Sequence, residues 1–341
     1  MKFGINQVTD DLPNYGELVR RTEAIGVDRI GVPDTQAGKF RECYVTLSQV
    51  FSHTSRVTAG PVVSNAITRH PAVTAAAIAS ADEVSGGRAF LGMATGDTGV
   101  FNLGLKPARQ SELESYVLAV RELFDTGRTT WNGTTAKLKW VKRPVPIYLA
   151  ADGPKMLRMA GRIADGVIVG MGFREENIRR VQQFLGEGAN EAGRSLHDID
   201  IWYWARVAVA DQREDALDLV RPSLAAGSAH AFRFTLEGKE VPADLVEPIL
   251  ELERRYDHSF HNEPGMENPN GRLVEELGLT DYLAERMGVV GTENECIDQL
   301  KRLGELGVEN VLCRPLVFDR YDFLNRWERV IAAVRGGTTT T

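Results

Sequence analysis

Apolar and polar positions along the chain alternate between two periods. Short runs rich in Val, Ile and Leu are each followed by a stretch in which apolar residues recur three and four positions apart. Strand-type runs lie at 3–8, 28–32, 56–63, 88–95, 145–150, 166–169, 199–209 and 310–317. Helix-type stretches lie at 15–25, 43–53, 71–84, 109–126, 154–164, 174–193, 212–226, 292–306 and 321–334. The stretch 109–126 shows the helical spacing directly, with Leu113, Val117, Val120, Leu123 and Phe124 on one face. Repeated strand–helix units without a composition break predict a parallel sheet covered by helices. The strand-type runs number eight, which is what a (β/α)8 TIM barrel requires. An open doubly wound sheet also satisfies the count, but no GxGxxG follows the first strand; the glycines there are Gly4 and Gly16. The expectation is one α/β barrel domain over 1–335, with a disordered tail at 336–341.

The alternation is interrupted twice. Residues 128–143 read as a small hairpin around Asn132-Gly133, a dipeptide suited to a tight two-residue turn. Residues 228–287 mix short helical pieces with the polar run Asp257 to Gly265. A connection of this length in a compact α/β fold is usually a lid or a contact with another copy.

Bulk composition removes several function classes. The 341 residues are 43% hydrophobic and 26% charged, with a net charge of −7 and no dense Lys/Arg stripe. Nucleic-acid binding needs clustered cations and is not expected. No apolar run approaches the length of a membrane span, and MKFGINQV begins a strand rather than a signal peptide. Three widely separated cysteines, Cys43, Cys296 and Cys313, suit a reducing cytoplasm better than a disulfide framework. With no CxxC and no HExxH, no metal site is expected.

Ligands of such barrels bind at the C-terminal ends of the strands. In chain order these ends read Asn6-Gln7, Asp34-Thr35-Gln36, Ser64-Asn65, Thr95-Gly96-Asp97, Ala150 to Lys155, and Gly170-Met171-Gly172. Arg206 lies on the seventh strand and Cys313-Arg314 close the eighth. Backbone N–H groups of Ala151, Asp152 and Gly153 at a helix N-terminus, with Pro154 and Lys155 following, can hold a phosphate. Asp152 would repel an anion if it pointed inward, and is expected to cap the helix instead.

The segment VSNAITRHPAVTAAAIASADEVSGGRAFLGMATGD resembles the bacterial-luciferase-like superfamily, and more closely its branch of coenzyme F420-dependent oxidoreductases typified by methylenetetrahydromethanopterin reductase. The likeness extends to PDTQ, LGLKPARQSELESYV and PVPIYLAADGPKMLRMAGRIADGVIVG, covering most of residues 1–172. It implies a barrel that holds a flavin-like ring at its C-terminal rim. It also implies a non-prolyl cis peptide at Val62-Val63 backing the ring, with Ser64 and Asn65 touching it. Asp34 would sit near the ring's pyrimidine edge, Gly96 beside the ring, and Gly170 and Met171 across the cofactor channel. Asp97 falls where some relatives place a general acid. Many relatives carry His after the acid at the second strand end; this chain has Thr35 and Gln36. A homodimer is implied in the same way. The corresponding activity is hydride transfer between F420 and a small organic substrate. FMN in the same pocket would instead give an O2-using monooxygenase, and a flavin-binding protein without turnover is a further alternative.

Other polar residues carry two readings each. Asp97 is an acid, or an N-cap or cofactor contact. His70, in Thr-Arg-His-Pro, is chiefly a helix-entry device. His258 and His261 reach a substrate or are solvated. Gln7, Gln36 and Trp204 are candidate substrate contacts, with packing as the competing reading for Trp204. Arg206 is a substrate candidate, and Arg314 binds an acidic substrate or pairs with a carboxylate of the protein.

Overall fold

The computed structural model describes residues 1–36, 40–233, 235–261 and 263–336. Strand β1 (Lys2–Asn6) starts the chain and α1 (Leu12–Ala24) returns it to β2 (Arg29–Val32). Helix α2 (Cys43–His53) leads to β3 (Thr58–Pro61), which breaks at Val62-Val63 and resumes as β4 (Ser64–Asn65). Then come α3 (Pro71–Ser85), β5 (Leu91–Ala94), the short α4 (Thr98–Phe101) and α5 (Gln110–Thr126). The expected hairpin is present as β6 (Arg128–Trp131) and β7 (Thr134–Lys137). Asn132 and Gly133 turn it with φ of 47° and 78°, as such a tight turn demands.

Alternation resumes with β8 (Ile147–Ala150), α6 (Pro154–Ile163), β9 (Gly166–Val169), α7 (Glu175–Glu191) and the long β10 (Asp200–Val209). Helix α8 (Arg213–Phe232) opens the second interruption, which continues with α9 (Val246–Arg255), α10 (Pro269–Glu276), α11 (Thr280–Met287) and β11 (Gly288–Gly291). The chain finishes with α12 (Glu293–Glu305), β12 (Asn310–Cys313) and α13 (Arg320–Val334).

The main sheet runs β3-β2-β1-β12-β10-β9-β8-β5-β4, all parallel, and is joined end to end by β4 against β5 and by a bridge between Ala59 and Ala89. Taken as one stave, β3 and β4 complete the eight of the expected TIM barrel. The strand predicted at 56–63 is therefore two pieces, and Ser64-Asn65 is a pairing segment rather than a loop tip. The last strand ends at Cys313 instead of 317, with Pro315, which has no N–H to donate, soon after. Among the described residues a ninth barrel-side strand, β11, pairs with the distal half of β10, Arg206 to Val209. Its four residues, GVVG, are too short to stand out by period. Helix α8 outlasts the predicted 226 and passes through Pro222, whose ring lies against Gly271 of α10. Residues 337–341 of the expected tail lie outside the described residues.

Period-two alternation divides the strands' side chains between two cores. Outward residues pack under the helices, while Val62, Phe90, Tyr148, Ile168, Trp202 and Leu312 fill the barrel interior. Low in the barrel, the Arg29 guanidinium lies 4.2–4.4 Å from the centres of the Trp202, Tyr148 and Phe90 rings. Tyr148 Oη and Trp202 Nε1 both donate to Asp200 Oδ2 at 2.7 Å, so this polar group is partnered where it is buried. A separate apolar cluster joins α8, α9, α10 and α11 with β11. The three cysteines are buried free thiols. No helix among the described residues is long and apolar enough to cross a membrane.

Candidate active site at the C-terminal rim

Strand parity decides which rim residues face the barrel mouth. On β10, Trp202 and Trp204 point inward, so Arg206 does too; on β12, Leu312 points inward and Arg314 follows. On β8 and β9 the inward series runs Tyr148, Ala150, Asp152 and Ile168, Gly170. The same rule moves three expected contacts off the mouth. Gln7 is buried against α1, donating from Nε2 to Thr22 Oγ1 at 2.6 Å. Ala151 is core, and its N–H already serves the Ile168 carbonyl at 3.0 Å, so it is not free for a phosphate. Met171 is likewise core, with its carbonyl held by Arg286. Asn6, the inward neighbour of Gln7, faces the barrel interior; its Nδ2 reaches Val62 O at 3.5 Å while its buried Oδ1 has no partner among the described residues.

The wall at the break in the third stave is built by glycines on both neighbouring strands. The Val62-Val63 peptide is cis. A Cβ on Gly31 of β2 would lie 2.6 Å from Val62 Cγ2, and one on Gly92 of β5 would lie 2.2 Å from Pro61 O. Only hydrogen fits at either place. Val62 is buried and Val63 half-buried.

Beside this wall, the polar side chains expected to touch a ring are held by partners within the protein. Asp34 takes a two-point ion pair from Arg69 at 2.5 and 3.0 Å, and Ser64 Oγ donates to it at 2.6 Å. Asn65 Oδ1 accepts from the Ile67 and Thr68 N–H groups. His70 caps α3, accepting from Ala72 N, as its sequence context suggested. Gln36 is exposed.

Asp97 stands next to the wall, after β5, where Gly96 turns the chain with φ of 113°. It occupies the N-cap position of α4 but makes no capping hydrogen bond. Instead His230 Nδ1 lies 3.0 Å from Asp97 Oδ2, and Arg233 Nη1 donates to Oδ1 at 3.0 Å. Burial raises the affinity of the Asp97 carboxyl for a proton. The hydrogen bond and charge of His230, with those of Arg233, outweigh burial and hold it well below the usual carboxylate range. A carboxylate so held favours its ionised form, which suits an anchor for His230 better than a proton donor.

His230 and Arg233 come from the end of α8 and were not anticipated. The only sequence signal was the small-residue run Pro222 to Ala231, which lets the helix continue past its expected stop and press against the rim. Buried Arg286 ties this region down, donating to Met171 O at 3.2 Å and Glu240 O at 3.1 Å. The other ring nitrogen of His230 lies 3.9 Å from Asp152 Oδ2.

Asp152 does not cap α6. Gly153 is the N-cap residue, and the Asp152 carboxylate turns aside to accept from Gly170 N at 2.5 Å. The space before α6 is thereby cleared of its acid. A Cβ on Gly153 would meet nothing within 4 Å, and Lys155 is exposed beside it. The ten-residue helix thus presents an open N-terminus to the rim.

Across the mouth lie Arg206 and Arg314. Of the two insertion histidines, His258 is exposed, whereas His261 turns inward and shares a 2.6 Å hydrogen bond between Nδ1 and Tyr256 Oη. Burial, and then the charge of Arg314, push His261 down to about 4, so its ring is neutral at pH 7. Trp204 packs in the upper barrel with the Arg206 guanidinium 5.5 Å from its ring centre. Among the described residues no group of His, Cys, Asp and Glu is arranged to hold a metal ion.

A parallel barrel with a broken third stave, an anion-ready helix end at the fifth strand and a carboxylate–histidine pair at the fourth defines a class. The family model for luciferase-like monooxygenases matches residues 3–310, and the chain belongs to that family. It is 27% identical over 329 residues to the 5,10-methylenetetrahydromethanopterin reductase of Methanolobus tindarius, covering 92% of this chain and 93% of that protein. It is 35% identical over 303 residues to the F420-dependent glucose-6-phosphate dehydrogenase of Nakamurella multipartita, covering 85% and 81%. The coenzyme F420 dependent tetrahydromethanopterin reductase from Methanopyrus kandleri superposes with a TM-score of 0.78 at 24% identity, over 98% of this chain and 99% of that one.

Proposed function

We propose that this protein is an F420-dependent oxidoreductase that moves a hydride between the deazaflavin and a small organic substrate at the barrel mouth. Two of the three relatives above, the glucose-6-phosphate dehydrogenase and the Methanopyrus kandleri reductase, are named for that cofactor, and the rim suits a tricyclic ring with an anionic tail. The wall at Val62-Val63, cleared by Gly31 and Gly92, offers a flat apolar backing, and Asp34 with Ser64 supports it from behind. The backbone of Gly153 and the ammonium of Lys155, at the open end of α6, would hold an anionic tail, with the Asp152 carboxylate kept aside by Gly170 N. The cofactor, when bound, supplies the hydride-donating or hydride-accepting carbon.

The chain's own contribution is to orient, to exclude water and to carry one proton. The observation that carries this reading is the Asp97–His230 pair beside the Val62-Val63 wall. Ionised Asp97 fixes the His230 ring through Nδ1, which leaves Nε2 to give a proton to a substrate oxygen or take one from it. His230 thus takes over the proton role that Thr35 and Gln36 cannot fill. Asp97 is then a positioning residue.

Titrating the purified protein with F420 and, separately, with FMN, followed by fluorescence, tests the cofactor. Saturable F420 binding with negligible FMN binding is expected; the reverse order overturns the reading. A screen of small carbonyl compounds and alcohols against bound cofactor then supplies a turnover assay. In it, His230→Gln should lower kcat by roughly 10²-fold or more and alter the pH profile, with F420 affinity retained. An unchanged kcat removes His230 from the chemistry. Pairing of two copies belongs to the same reading, and sedimentation velocity reports it directly.

A further inference from the structure

The barrel mouth holds two guanidinium groups that form no ion pair among the described residues. Arg314 Nε and Nη2 are both buried without a hydrogen-bond partner, and the guanidinium lies 5.2 Å from the centre of the Phe40 ring. Arg206 makes no ion pair among the described residues. Its Nε and Nη2 sit where a Cβ on Gly227 of α8 would come within 2.7 and 3.1 Å, so the helix carries glycine where the guanidinium passes. Burial, then the charge of Arg206, bring Arg314 down to about 10, and burial brings Arg206 to about 10 against the opposing influence of Tyr256 and Asp152. The nearby carboxylates are otherwise engaged, Asp97 with His230 and Arg233, and Asp152 with Gly170 N. Neutral Tyr256 and His261 complete the surroundings.

Burying like charges together without a counter-ion is costly, and a site that does so is complete only when an anion arrives. Elsewhere in this molecule partly buried arginines find partners: Arg69, Arg121 and Arg158 meet carboxylates, and Arg88 and Arg286 donate to backbone carbonyls. The strand order places the exception. β10 and β12 are the seventh and eighth staves, and the Val62-Val63 wall with Asp97 belongs to the third and fourth, across the mouth. The α6 end offered to a cofactor tail lies on the fifth.

We propose that Arg206 and Arg314 form a subsite for an anionic group, carboxylate or phosphate, on the substrate. The inference rests on the oxidoreductase reading for the reaction but not for the binding event. Planar guanidinium forks suit either oxyanion, and Tyr256 Oη can add a donor. The substrate is then a small organic acid or phosphate ester, held by its charged end with its reacting carbon toward His230.

The probes are inorganic phosphate and acetate, added at constant ionic strength against chloride, with melting temperature and calorimetry as readouts. Wild-type protein should melt higher and bind saturably with phosphate, acetate or both; the stronger of the two identifies the oxyanion class. Arg314→Met and Arg206→Met should each lose about tenfold or more in affinity, as expected for a charged hydrogen-bond partner. Neither should melt lower than wild type in the absence of the anion, because each removes an uncompensated buried charge. Arg314→Lys should recover part of the affinity. F420 binding, measured separately, should persist in both methionine variants. No anion effect beyond chloride overturns the proposal. So does an effect that survives both substitutions, which would place the anion at α6, or one that F420 abolishes, which would assign the arginines to the cofactor tail. If F420 fails to bind while the arginine-dependent anion effect persists, the subsite stands and the cofactor reading falls.

Discussion

At the scale of single residues, the site is governed by which charges are paired. Asp97 is ionised because His230 and Arg233 outweigh its burial, and His261 is neutral because burial and two arginines outweigh any carboxylate. Both folded-state values lie below the unfolded ones, so in both cases the unfolded chain binds protons first as the pH falls. The associated stability is complete at neutral pH and is lost on acidification. For His261 the loss runs from about pH 6.5, the ordinary histidine value, down through about 4. His261→Gln, which keeps a polar partner for Tyr256, should therefore flatten the fall of the urea midpoint between those limits. For Asp97 the loss begins near the ordinary carboxylate value and continues below it, so Asp97→Asn should flatten only the more acidic limb. A urea midpoint whose pH dependence is unchanged by these substitutions would contradict the respective assignment.

At the scale of elements, the N-terminal end of α6 is aimed by how closely that helix lies on α7. A Cβ on Gly161 would sit 2.3 Å from Leu185 O, and one on Gly188 would sit 2.0 Å from Arg158 O. The two helices touch backbone to backbone there. In an exposed helix, Gly to Ala stabilises by about 1 kcal/mol. At Gly188 the sign should reverse, to a loss of about 1–3 kcal/mol from overpacking. Gly186, on the same helix with nothing within 4 Å of its would-be Cβ, is the internal control and should gain stability as alanine. Urea unfolding of the two variants checks the contrast. Because separating the helices tilts the α6 N-terminus, Gly188→Ala should also weaken F420 binding, whereas Gly186→Ala should not.

At the scale of the whole molecule, a cofactor that spans from the third stave to the fifth should stabilise the barrel by linkage. At a hundred times its dissociation constant, F420 should add about 2.7 kcal/mol to the unfolding free energy; a melting temperature indifferent to it would deny binding to the folded state. The barrel itself was legible in the chain, because a parallel sheet covered on both sides imposes strand and helix periods that leave little choice. So was the hairpin at Asn132-Gly133, where the turn chemistry is local. Parity even held information that strand ends alone did not use: Asn6, Asp152, Gly170, Arg206 and Arg314 sit in phase with the barrel interior, while Gln7, Ala151 and Met171 sit out of phase. What the sequence could not settle was who meets whom across long separations. The pairing of Asp97 with His230 spans 133 positions, and that of Asp34 with Arg69 spans 35. No local pattern announces the first, since ionisation depends on burial and on neighbours delivered by other elements. The eight-stave fold and its rim follow from periodicity along the chain; the protonation states and the unmatched pair of arginines exist only once the barrel has closed.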